Sequence, residues 1–212
     1  MTTLSMQPCE CRLRNGSLLI IAWLLGVVGL GASGLLAQGD GLLHLLMPAL
    51  IVLPVAVFGM AWQTSESFRE WVLAIDTGVL VILHSWRMVG TGFLFLYAYD
   101  VLPGLFAWLA GLGDMLAAFG AVLIGTALLQ GRDVSRATLL GWNSFGLLDF
   151  VAAVSVGTLL RSDYLGGAVN TDAMARLPLS LVPTVIVPLY VITHVMIYLQ
   201  LRNKKDRVTP DT

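Results

Sequence analysis

A chain of 212 residues that is 57% hydrophobic and only 12% charged carries about half the charge of a soluble domain, and its mean hydropathy is +0.83. That composition excludes a lone water-soluble globule and specifies a membrane protein. Twelve Lys and Arg against 13 Asp and Glu leave a net charge of −1, with no basic block in the first 200 residues, so nucleic acid is not an expected partner.

Residues 1–17 form a polar cytoplasmic segment holding Cys9, Cys11, Arg12 and Arg14. A single C-x-C falls short of the four ligands that structural zinc takes, so neither a metal nor a disulfide framework is expected. The apolar stretch that follows is longer than a signal-peptide core and has no convincing cleavage site, so it reads as a retained first span. Runs of about 20 apolar residues, enough to cross a ~30 Å hydrocarbon core, lie at 18–38, 41–62, 71–99, 105–129, 137–160 and 178–201. They predict an all-α polytopic bundle of six transmembrane helices over residues 18–201, joined by short connections and followed by a polar cytoplasmic tail at 202–212.

Small residues predict how these helices pack. Gly29-Leu30-Gly31-Ala32-Ser33-Gly34 spells G-x-G-x-x-G, but a dinucleotide site needs a preceding strand. Gly26, Gly29 and Ser33 instead share one face of span one, and Gly113, Ala117, Ala121 and Gly125 share one on span four, the pattern that lets membrane helices approach closely.

Asp76, Arg87, Asp114 and Asp149 fall within apolar spans, where each costs about 2.5 to 3.5 kcal/mol at a helix centre. They must be paired, protonated or turned toward a hydrated cavity. With α-helical rotation, Asp76, His84, Arg87 and Thr91 form one polar stripe on span three. Counting about 1.5 Å per residue from the inner ends sets Arg87 level with Asp114, His84 with Asp149, and Asp76 with His194. Asp149 shares its face with Gly146, Ala153 and Gly157, while Asn143 lies elsewhere on that helix, nearer the cytoplasm. Pro178, Pro183 and Pro188 precede Thr193 and His194 and should bend the sixth span. His44, near the outer end of span two, is expected at the interface. The candidate proton- or substrate-binding set is therefore Asp76, His84, Arg87, Asp114, Asn143, Asp149 and His194.

Leu102-Pro103-Gly104-Leu105-Phe106-Ala107, then Ala110-Gly111-Leu112-Gly113-Asp114, then Trp142-Asn143-Ser144-Phe145-Gly146-Leu147-Leu148-Asp149 make a chain that resembles a family of uncharacterised small bacterial polytopic membrane proteins. Arg87-Met88-Val89-Gly90 before these runs, and Leu177-Pro178, Pro183, Pro188 and His194 after them, are similar too. The resemblance covers residues 82–198 and implies a bacterial inner-membrane location and no known chemistry. In that pattern a proline often stands where this chain has Leu109 and a bulky aromatic where it has Leu112. That departure leaves 105–113 open to two readings: continuous helix, or a re-entrant segment with Asp114 as a helix N-cap.

Several functions compete on these residues. A proton-linked transporter of a small solute would hold an anionic substrate at Arg87 while Asp149 and His84 exchange protons, with the bilayer around it and a homodimer supplying further helices. A structural or assembly protein would use the same groups as polar contacts between helices. A redox protein would need His84 and His194 as a haem pair, and an intramembrane zinc hydrolase would need His84 with Asp114 and Asp149. The transporter is the leading reading, and it requires no cofactor and no metal.

Orientation follows from Lys and Arg, which cytoplasmic loops retain. With the N-terminus inside, Arg12, Arg14, Arg69, Arg132, Arg136, Arg202, Lys204, Lys205 and Arg207 are internal, and only Arg161 and Arg176 are external. Both termini are therefore expected in the cytoplasm. Reporters active on one side of the membrane only, fused at the C-terminus and at Asp100, should place the first inside and the second outside; an external C-terminus would overturn the six-span topology.

Overall fold

The computed structural model describes residues 8–38, 45–162 and 169–208, with side chains within 18–203. His44 and the side chains of Cys9 and Cys11 lie outside the described residues. The elements are α1 (Pro8–Ala32), α2 (Leu46–Thr64), α3 (Glu66–Ala74), α4 (Thr77–Leu83), α5 (Gly92–Ala98), α6 (Gly104–Leu129), α7 (Arg136–Arg161) and α8 (Val187–Val208). A 3-10 segment, His84–Thr91, joins α4 to α5, and a π-helical turn, Val182–Ile186, leads into α8. Among the described residues, five segments are long and apolar enough to cross a membrane: Leu46–Thr64, Thr77–Ala98, Gly104–Leu129, Arg136–Arg161 and Val182–Asn203; a further apolar helix, Leu18–Ala32, is shorter. Leu25, Val52, Met60, Phe95, Phe119 and Leu148 stand exposed on the outside, an apolar coat that belongs in lipid and not in water. The protein is an all-helical, multi-pass membrane protein.

The helix α6 is the hub. It packs against α4, the 3-10 segment and α5 on one side and α7 on another, because Gly113, Ala117, Ala121 and Gly125 give it a buried stripe with almost no side-chain bulk. At Gly125 the approach is backbone to backbone: a Cβ there would lie 2.9 Å from the Ile82 nitrogen. Trp142 of α7 donates its indole N–H to the Ala117 carbonyl at 2.9 Å. Residues 105–113 are continuous helix within α6, so the re-entrant alternative is removed and Asp114 sits in the helix body.

Three expected spans are corrected. The run 71–99 is broken at Ile75, where α3 ends and Asp76 caps the start of α4 by accepting from the Val79 N–H at 3.0 Å; α3 itself begins earlier, capped by Ser65, which accepts from the Phe68 N–H at 3.3 Å. Asp76 is thus an exposed N-cap and not a mid-membrane charge. Gln200 of α8 spans the break, donating to the Val72 and Ile75 carbonyls at 2.9 and 2.8 Å while accepting from the Thr77 hydroxyl at 2.8 Å.

The first helix stops at Ala32 rather than continuing to 38, since Gly34 turns the chain at φ 75° into a short 3-10 turn, Leu35–Ala37. A Cβ added at Gly26 or Gly29 would meet nothing within 4 Å among the described residues, and the close contact on this helix is at Gly31, against Leu177 and Ser180. The last span begins at Val182 and not at 178. Pro188 has no N–H for the Thr184 carbonyl one turn back, and the Trp23 indole of α1 donates to that carbonyl at 3.2 Å. The π turn is therefore tied to α1.

Candidate functional site

The 3-10 geometry of residues 84–91 changes which side chains align. With three residues per turn, positions i, i+3 and i+6 eclipse, so His84, Arg87 and Gly90 line up on the face turned toward α6, α7 and α8. Arg87 and His84 are almost wholly buried. Arg87 reaches across three helices: Nε donates to Asp114 Oδ1 of α6 at 2.7 Å, and Nη2 to Asp149 Oδ2 of α7 at 2.5 Å. Nη1 donates to the Gly146 carbonyl and approaches Nε2 of His194, each at 3.3 Å. The guanidinium carbon lies 3.9 Å from the centroid of the Phe150 ring, a cation–π contact in a desolvated setting.

The hydrogen bonds define the tautomers. Asn143 presents Oδ1 to Nδ1 of His194 at 2.8 Å and donates its amide to the His194 carbonyl at 3.0 Å. Its oxygen can only accept; His194 therefore carries its proton on Nδ1 and offers the Nε2 lone pair to Arg87. His84 is held differently. Thr193 donates its hydroxyl to the Tyr190 carbonyl at 2.8 Å, so Nε2–H of His84 donates to the Thr193 oxygen at 2.9 Å, and Nδ1 is left without a partner among the described residues.

A chain of glycines makes these approaches possible. Gly90 of the 3-10 segment lies under the Asp114 carboxylate, Gly113 of α6 under the Asp149 carboxylate, and Gly146 of α7 under the His194 ring and the Arg87 guanidinium. A methyl group at Gly146 would stand 2.6 Å from the imidazole. Each of three neighbouring elements gives up a side chain so that the next can place a polar group against its backbone.

The cluster forms one end of a cavity of about 640 Å³. Its walls come from α2, the 3-10 segment, α5, α6, α7 and the bent start of α8, and include the aromatic rings of Trp86, Phe93, Phe106, Phe150 and Tyr190. Asp114 and Asp149 line it, and their side chains keep 15% and 7% exposure against 1% for Arg87. Arg87 also lines the cavity, and the carboxylates are the more open of the three groups. Arg161 lines the far end, paired to Asp172 at 3.4 Å and donating to the Leu36 carbonyl at 2.5 Å.

Of the residues singled out in the sequence, the structure gathers Arg87, Asp114, Asp149, Asn143 and His194 into one network, with His84 stacked on His194 at 4.1 Å between ring centroids. Depth matching joins Arg87 to Asp114 as expected, and misassigns the other two pairs. Asp149 bonds Arg87 instead of His84, whose Nε2 meets Thr193, and Asp76 caps α4 while His194 meets Arg87 and Asn143; the break before α4 removes the continuous helix that the depth count assumes. Arg87 spends Nε, both N–H groups of Nη1 and one of Nη2 within the protein, which leaves one of its five N–H groups for an anion. The histidine rings lie side by side with both Nε2 atoms in hydrogen bonds, which leaves no place for a haem iron between them. Among the described residues no group of three His, Cys, Asp or Glu is arranged to hold a metal, so the zinc-site grouping of His84 with Asp114 and Asp149 does not form. Phe150, Tyr190 and the Gly146 carbonyl were not foreseen; an aromatic directly after Asp149 was the one available signal.

The two-to-one ratio of carboxylates to guanidinium makes the variants unequal. Arg87→Met strands two carboxylates and should cost about 3 to 5 kcal/mol of stability in detergent. Asp114→Asn leaves one guanidinium facing one carboxylate and should cost distinctly less. Adding Asp114→Asn and Asp149→Asn to Arg87→Met should recover part of the loss. Thermal unfolding that shows strictly additive losses would mean the groups are not coupled.

No curated protein and no solved structure matches the chain. Residues 44–202, which contain every member of the cluster, match the family described as Domain of unknown function (DUF8737), and the chain belongs to that family.

Proposed function

We propose that this protein is a proton-linked carrier of a small solute in the bacterial inner membrane, crossing it six times with both termini in the cytoplasm and pairing as a homodimer. The observation that carries this reading is the pairing of one guanidinium with two carboxylates at the end of an intramembrane cavity. Arg87 cannot discharge by losing its proton, and two ionised carboxylates leave a net −1 that hydrocarbon penalises. One additional positive charge restores neutrality, and a proton shared by Asp114 and Asp149 is the smallest that does so. Occupancy of the cavity is thereby linked to proton occupancy of the pair. The π-helical turn at Val182–Ile186, with Pro183 inside it and Pro188 after it, supplies an irregular wall able to change shape as the charge does.

The competing reading is a fixed polar contact between helices, and the buried Arg87 with its engaged donors favours it to that extent. Infrared titration of the full-length protein in lipid separates the two. The carrier should show a protonated-carboxyl C=O band that grows as pH falls and is lost in Asp149→Asn. A band that stays constant over the whole pH range in which the protein remains folded would sink the carrier reading.

A further inference from the structure

The cavity has a chemistry of its own. Its walls are overwhelmingly apolar and aromatic, and its polar end is acidic. Among the described residues no hydrogen bond reaches Asp114 Oδ2 or Asp149 Oδ1, while the Arg87 donors are turned to Asp114, Asp149, Gly146 and His194. An anion entering here would meet two carboxylates against one guanidinium already bonded to both, with the Tyr190 hydroxyl and the Trp86 indole as neutral donors on the walls. A sugar-like solute would find few wall groups to satisfy its hydroxyls. The groups facing the carboxylates are Arg87 from the 3-10 segment and His194 and Tyr190 from α8; Arg161 at the far end is countered by Asp172.

The rim points to where a ligand enters. Trp86 and Val89 line the cavity from the 3-10 segment, and Ile186 and Leu189 from the start of α8. All four are also exposed on the outer surface, at 70%, 72%, 41% and 49%. Trp86 and Val89 lie in the middle of the Thr77–Ala98 span. At that depth the surroundings are acyl chains, so the opening between these two elements faces lipid.

We propose that the cavity takes a hydrophobic organic monocation from the bilayer, which sets its charged centre against Asp114 and Asp149 in exchange for the proton they share. This rests on the proton-carrier reading and names its substrate class. Aromatic faces and carboxylates together recognise a cation that has no hydrogen-bond donors, and a volume of about 640 Å³ suits a drug-sized molecule. The exchange balances: one carboxyl O–H bond breaks, its proton leaves to water, and one monocation takes its place, so the pocket holds the same net charge before and after. No other bond is made or broken.

The test is equilibrium binding of tetraphenylphosphonium to the full-length protein in nanodiscs, with tetraphenylborate as a probe of the same shape and opposite charge. The cation should bind saturably with release of one proton, and its Kd should rise about tenfold for each unit of pH lowered while the two compete. Tetraphenylborate should not bind. Asp149→Asn should lose the pH dependence and most of the affinity. Gly92→Leu fills open cavity space, where a Cβ meets nothing within 4 Å, and should block binding with the melting temperature kept. Absence of cation binding at high pH, with the infrared titration intact, would overturn the substrate class and leave the carrier reading standing. Binding that ignores pH, Asp149→Asn and Gly92→Leu would be partition into lipid and would overturn the proposal equally. If the titration is absent as well, both readings fall together.

Discussion

A guanidinium inside hydrocarbon stays charged, and the geometry around Arg87 follows from keeping it paired. No single helix can surround it. Its ligands come from α6, α7 and α8, and the side chain itself comes from the segment between α4 and α5. Four membrane elements are thereby held at fixed distances by one residue. The packing obeys the same requirement: Gly90, Gly113 and Gly146 remove the bulk that would keep the carboxylates and the imidazole from closing on it. What reads in the sequence as a general tendency toward small residues in membrane helices is, at these three positions, specific to the charge cluster.

The shell beyond Arg87 is polarised in one direction. Asn143 uses both ends of its amide on His194, which fixes the ring and turns the Nε2 lone pair toward the guanidinium. A neutral imidazole in that tautomer adds an acceptor without adding charge. The imbalance of one guanidinium and two carboxylates therefore remains, and it is placed where Asp114 and Asp149 meet the cavity. A second arginine or a single aspartate in the same position would have produced a closed ion pair with nothing left to exchange.

The apolar runs made the membrane class and the limits of two helices legible in the sequence, since α6 and α7 lie within a residue of the runs at 105–129 and 137–160. The Arg87–Asp114 pairing was legible too, because two isolated charges at similar depth have few other options. The break at Asp76 was not. Hydropathy averages over a window, and a single polar cap with Gln200 behind it leaves the average nearly unchanged. The 3-10 segment was hidden for a related reason: His84–Thr91 holds no proline and a single internal glycine, so nothing local announces it. The π turn was only half visible, with Pro183 and Pro188 marking a disturbance but not its form.

Those two irregular segments are also the two that border the cavity's opening to lipid, and this is not independent of the charge cluster. A 3-10 helix has poorer hydrogen-bond geometry than an α-helix and is seldom long, so eight residues of it, His84–Thr91, require compensation. The compensation is the alignment of His84, Arg87 and Gly90, which an α-helix would spread around its circumference. Across the opening, the π turn widens the start of α8 and the Trp23 indole occupies the carbonyl that Pro188 leaves without an N–H. Both irregularities are therefore held by side chains from other helices as well as by their own backbone hydrogen bonds. Asp114 and Asp149 bond Arg87 of the 3-10 segment, and His194 of α8 meets the same guanidinium, so the two walls of the opening are elements that the charge cluster joins directly.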